Sequence, residues 1–174
     1  MEDFFERLER MKINVISPDG TVRAHYAVTE GINIELRLDT YSGHTEESLA
    51  LQIIAAVKGV CHGYAKATNP TAEGERRQSP QQSKPRELPF DERRQRFSEE
   101  VGKIAESASS LRGFVQASWS GRGDFNVNIR PGTLNRLDVN QTQLATEVNH
   151  AITTAHEAFE KCVDRAYKNA YQSS

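Results

Sequence analysis

Several things are scarce in this chain. There are two cysteines in 174 residues, too few for a disulfide framework to stand in for a core. Cys61 and Cys162 both lie in Ala-rich, helical surroundings, where a reduced thiol serves as a small packing residue. Aromatic residues make up 7 %, with a single Trp, so the core has to be assembled from Ala, Val, Ile and Leu. No apolar run approaches the ~20 residues that a membrane-spanning helix needs, and no membrane insertion is expected. The acidic opening Met1-Glu2-Asp3-Phe4-Phe5 lacks the apolar segment of a secretory signal. A cytoplasmic location is the expectation. One-sided charge is lacking too: 22 Lys+Arg against 24 Asp+Glu leave a net charge of -2. A dedicated nucleic-acid binder shows a basic excess more often, so a phosphate-facing site here has to be a local patch. Residues 1–67 carry 7 Lys/Arg against 10 Asp/Glu, whereas residues 90–174 carry 11 of each. The second half is the better candidate to face phosphate.

Catalytic signatures are missing as well. There is no H-E-x-x-H, no Walker loop, no G-x-G-x-x-G and no G-x-S-x-G. His25, His44, His62, His150 and His156 include no pair at i, i+4 spacing, and the neighbours Cys61 and His62 diverge on a helix. No catalytic residue, metal or cofactor is expected, and the chain does not read as an enzyme.

What the chain does have is a repeat. Leu49-Ala50-x-x-Ile53-x-x-Ala56-Val57-x-x-Val60 recurs as Leu144-Ala145-x-x-Val148-x-x-Ala151-Ile152-x-x-Ala155. Each copy follows a Leu-Asp pair, Leu38-Asp39 and Leu137-Asp138, with strand-like alternation and Gly turns before it. Apolar spacing predicts a short helix over residues 3–11, then three strands around 13–16, 21–28 and 32–38 separated by the turns Ser17-Pro18-Asp19-Gly20 and Thr29-Glu30-Gly31. Thr45 with Glu46 and Glu47 starts a helix that runs to about residue 67. Four prolines among Gln, Ser, Glu and Arg make residues 68–89 a linker. The same spacing then predicts a helix over 90–111, strands around 114–119, 125–130 and 133–139, and a helix from the Asn140/Gln143 capping box to about Tyr171.

The expected fold is α+β: two tandem αβββα units, residues 1–67 and 90–174, each with an antiparallel three-stranded sheet and a long C-terminal helix. They would pack on each other as an intramolecular pseudo-dimer. The final helix is long enough to project beyond its sheet or to pair as in a coiled coil, which nominates Phe159, Val163, Tyr167 and Tyr171 as protein-interface residues.

Ser17-Pro18-Asp19-Gly20-Thr21-Val22, Ile34-Glu35-Leu36-Arg37-Leu38-Asp39 and the Leu49 seam resemble the YbaB/EbfC family of small bacterial nucleoid-associated proteins. So do Gly121-x-x-x-Phe125-x-Val127-x-Ile129, Leu134-x-x-Leu137-Asp138 and the Leu144 seam in the second half. The pattern covers most of the chain outside the linker. Family members look like homodimers of one such unit, so the resemblance implies a fused pseudo-dimer and binding to DNA. Relatives also look to occur among accessory proteins of actinobacterial type VII secretion systems, which implies a protein partner instead.

The resemblance carries over no DNA-contacting residue, so charge alone nominates them: Arg93, Arg94 and Arg96 at a helix start, and Arg122, Arg130 and Arg136 around the second sheet. Trp119-Ser120-Gly121 spells the W-x-G of small secreted helical hairpins, but it lies between strands and reads as a strand end entering a turn. Two functions remain. One is a non-enzymatic, nucleoid-associated protein that binds duplex DNA. The other is a protein-binding adaptor or chaperone, accessory to a type VII secretion system. Either would be a monomeric pseudo-dimer or a homodimer.

Overall fold

The computed structural model describes residues 10–37, 43–68 and 91–172. Most of the expected first helix, the Leu38-Asp39 pair and nearly all of the linker lie outside them. The chain is α+β, with two antiparallel three-stranded sheets and, among the described residues, three helices. The first sheet is a meander of β1 (Lys12–Ile16), β2 (Val22–Ala27) and β3 (Gly31–Leu36), followed by helix α1 (Glu46–Thr68). Helix α2 (Glu92–Val101) leads into the second meander, β4 (Ala105–Ser109), β5 (Val115–Ser120) and β6 (Phe125–Ile129). Helix α3 (Gln141–Tyr171) closes the chain.

Alternation sets the faces, because successive strand side chains point to opposite sides of the sheet. Val22, Ala24, Ile34 and Leu36 are buried, while Arg23 and Glu35 face out and pair across the strands at 3.8 Å. On the second sheet Val115, Ala117, Phe125, Val127 and Ile129 turn inward. Both helix seams are buried as the repeat predicts, from Leu49 to Val60 and from Leu144 to Ala155, in one core shared by the two sheets. The Asn140/Gln143 capping box forms.

The second half departs from expectation in two places. The predicted helix over 90–111 ends at Val101. Gly102 caps it, and residues 105–109 pair instead with β5, from Ala105 opposite Ser120 to Ser109 opposite Gln116. Ile104 and Ala108 suit a helical seam, but small residues alternating with polar ones also suit an edge strand, and pairing with β5 decided between them. The predicted third strand over 133–139 is a run of turns. Thr133, Arg136 and Val139 each donate to the carbonyl three residues back, at 3.2, 3.3 and 3.2 Å, and Leu137 is fully exposed. The Leu137-Asp138 pair therefore ends no strand.

The two sheets share one register. Lys12 pairs with Ala27 and Val22 with Leu36; Ala105 pairs with Ser120 and Val115 with Ile129. Each of these positions is displaced by the same 93 residues (12 to 105, 36 to 129). The first turns share their serine bond and their glycine. Ser17 and Ser110 are buried, and each hydroxyl accepts an N–H, from Val22 at 2.9 Å and from Val115 at 3.1 Å. Gly20 and Gly113 sit at φ 77° and 67°, a left-handed conformation that only glycine enters at little cost. The counterpart of Ser17-Pro18-Asp19-Gly20 is thus Ser110-Leu111-Arg112-Gly113 and not the Gly121 turn. No helix precedes β1 among the described residues, so what they carry is two β-β-β-α halves with α2 inserted before the second.

Each long helix lies on its own sheet and reaches the far edge strand of the other. α1 packs on β1 and β2 and on β6; α3 packs on β4 and β5 and on β3. Polar side chains seal the crossing. Asn149 of α3 accepts the Ile34 N–H at 2.7 Å and donates to the Ile34 carbonyl at 3.0 Å, acting as a strand partner for the outer edge of β3. Gln141 donates to the Leu36 carbonyl. Its counterpart in α1, Glu46, accepts the N–H groups of Gly132 and Leu134 at 2.9 and 3.2 Å.

Asn149→Ala leaves both Ile34 backbone groups without this partner in a half-buried setting, and a loss of about 2 kcal/mol is expected from urea unfolding. Glu46 is held below its ordinary value of 4.5, mainly by its own backbone N–H, with those of Leu134, Gly132 and Thr133 adding to the effect and burial opposing it. A carboxylate with a depressed folded-state pKa stabilises above its unfolded pKa and loses that contribution as pH falls through the folded value. The melting temperature of Glu46→Gln should therefore lie below that of the parent at pH 6, and the two should converge as the pH drops below 4.5.

Candidate functional site

The six arginines nominated by charge lie on α2, in the β5–β6 turn and beyond β6. Arg93, Arg94 and Arg96 are exposed on the first turns of α2, where Asp91 caps the helix by accepting the N–H groups of Arg93 and Arg94. Arg122 lies in the β5–β6 turn. Arg130 and Arg136 lie beyond β6, at the opposite end of the same strands. A strand of five or six residues separates these ends by roughly 17 Å. Arg136 is also engaged. It donates to Asp138 at 2.9 and 3.1 Å, Arg112 donates to the same carboxylate, and both guanidinium groups stack over Phe114, at 5.0 and 4.6 Å. The two arginines hold the Asp138 carboxyl down to about 2. What forms here is a clamp of loop against sheet, next to a shallow hollow lined by Arg130 and Arg136.

The nominated interface residues of α3 are largely covered by the chain itself. Phe159 packs against the core. Val163 is half-buried. Beyond the sheet, α2 lies along α3 and inserts Phe97 against Tyr167 and Tyr171, with ring centres 5.9 and 6.2 Å apart. Ala166 and Ala170 are buried as well. The final helix therefore finds its coiled-coil-like partner within the chain, leaving Tyr167 half-exposed at the end of the pair. α2 is held at its other end by close approach. The Gly121 N–H donates to the Ile104 carbonyl at 2.9 Å, and a Cβ on Gly121 would meet the Val101 carbonyl oxygen.

His44 brings together a Ser-His-Asp set. Its Nδ1 lies 2.9 Å from Ser48 Oγ and its Nε2 lies 3.1 Å from Asp19. The serine is already committed to the start of α1, where it accepts the Thr45 N–H at 3.0 Å and lies 3.1 Å from the Thr45 carbonyl. The Asp19 carboxyl is lowered even though burial, the largest single influence, pushes it up; the Thr21 N–H, the Ser17 and Thr21 side chains and His44 together outweigh burial. The cluster ties the β1–β2 turn to the helix start. In the second half a different bond does this work, with Glu147 accepting the Arg112 N–H at 3.1 Å.

A cleft opens where the two halves meet. Tyr26 from β2, Ile32 from β3, Cys61 and Tyr64 from α1, Trp119 from β5, and His156 and Glu160 from α3 enclose about 210 Å³. Tyr26 and Tyr64 meet edge to face at 5.3 Å, and Trp119 meets His156 at 5.0 Å. Burial pushes the Cys61 thiol up, away from the reactive thiolate. An adjoining space of about 260 Å³ shares Tyr26, Ile32, His156 and Glu160 and adds Glu30 and Glu157. No local motif marked these residues, because five elements from both halves contribute them. The one sequence signal was the single Trp.

No helix among the described residues is long and apolar enough to cross a membrane. The chain matches no protein-family model, no curated protein and no solved structure.

Phe97→Ala should loosen α2 from α3 while leaving the sheets intact. Amide exchange over 92–101 and the last two turns of α3 should accelerate, with the β5 amides unchanged.

Proposed function

We propose that this chain is a non-enzymatic binding protein, built as a fused pseudo-dimer of two YbaB/EbfC-like units, and that its partner is a protein. The observation that carries this is that Arg130 and Arg136 lie a strand's length from Arg122, with Arg136 tied up by Asp138. A duplex needs several phosphates neutralised along one face, and a set split between the two ends of β6, with Arg136 engaged, supplies that poorly. The shared register of the sheets and the exchange of helices between them support the pseudo-dimer. An adaptor or chaperone of the type VII secretion-accessory kind, cytoplasmic and monomeric, is the form this reading takes. The nucleoid-associated reading is its competitor and uses the same arginines.

Titration of a labelled duplex at low salt separates the two. Weak binding with a shallow salt dependence is expected, alongside a stoichiometric protein partner recovered from native extract. Micromolar or tighter duplex binding that falls steeply with salt, and that Arg93→Glu with Arg94→Glu abolishes, would overturn the protein reading and establish the DNA one.

A further inference from the structure

The cleft between the halves combines aromatic walls with carboxylates. Tyr26, Tyr64 and Trp119 present ring surface, while Glu160, Glu157 and Glu30 lie along the same opening. Neither Lys nor Arg is among its described lining residues, and His156, whose Nδ1 is 3.7 Å from Glu160, is the single basic group there. The Trp119 side chain is buried and its indole N–H has no acceptor among the described residues, an omission that buried donors rarely show. The Tyr26 hydroxyl is raised by burial first, and then by Tyr64 and Glu160, as expected in a negative, partly dry setting.

Ring faces attract cations through their quadrupole, and the attraction grows when water is excluded. Carboxylates at the rim add a second attraction for the same charge. A bare metal ion would leave the apolar walls unused, and a neutral apolar ligand would leave the carboxylates unused. We propose that the cleft binds an organic ammonium group, the chemistry shared by choline-like small molecules and methylated lysine side chains. The proposal holds whether the larger partner is protein or DNA.

Trp119 is the only tryptophan, so its fluorescence reports on this site in the whole chain. Choline should give a saturable change with a midpoint on the order of millimolar, as a few partly wet cation–π contacts allow. The uncharged counterpart 3,3-dimethylbutan-1-ol should bind at least about fivefold more weakly. Glu160 is largely exposed, so Glu160→Gln should fold normally and weaken choline about fivefold, the scale of one exposed charge. Tyr64→Leu tests the wall independently of charge and should also weaken binding. A trimethyl-lysine peptide binding more tightly than choline would assign the site to a partner's side chain; the reverse order would assign it to a small molecule. Equal binding of the neutral alcohol, an unchanged midpoint in Glu160→Gln, or no saturable response to either ammonium probe would overturn the proposal.

Discussion

The outer edge of β3 is the constraint on which this architecture depends. A three-stranded meander leaves one row of backbone N–H and C=O groups unpaired at each edge, and such a row must be covered or it invites other strands. Here the cover comes from the other half of the chain. α3 crosses over β3 and Asn149 takes both Ile34 backbone groups, while α1 crosses over β6. At the equivalent point of β6 the Val127 N–H is met by the neighbouring Asn126 side chain at 3.0 Å, so α1 needs no asparagine there and carries Ile54. The exchange makes the two sheets one core.

The same exchange creates the cleft. It is lined by α1, α3 and strands of both sheets, so its walls come from both halves and from distant parts of the sequence. The halves also differ in their internal clamps. His44 and Asp19 fasten the first turn to its helix, whereas Glu147 and Arg112 fasten the second. Gln52, which stands in α1 where Glu147 stands in α3, keeps a buried Oε1 with no partner among the described residues.

Much of this was legible. The two helix seams, the alternation of β3 and β6 and the Asn140 cap are strong periodic or local signals, and they fold as they read. The errors cluster between residues 102 and 139. Ala105–Ser109 is small and polar, without β-branched residues to mark a strand, so its spacing alone continues the α2 seam. Thr133 to Val139 has apolar residues at strand-like spacing, yet Leu137 faces water because the sheet already has its third strand. That misplaced strand also hid the true counterpart of the first turn, Ser110-Leu111-Arg112-Gly113, which the buried serine and the left-handed glycine reveal once the register is known. Among the candidate site residues, charge could name the arginines but could not place them.

The sequence alone determined the elements with a strong period or cap, the presence of two similar halves and the lack of a membrane-length apolar run, because these depend on neighbours a few residues apart. The tertiary structure decided which edge each helix covers, that α2 packs along the end of α3, that Arg122 and Arg130 lie at opposite ends of β6, and that Tyr26, Tyr64, Trp119 and Glu160 meet. Those outcomes depend on groups about 40 to 130 residues apart competing for the same backbone edge and the same apolar surface, and no local pattern records who wins that competition.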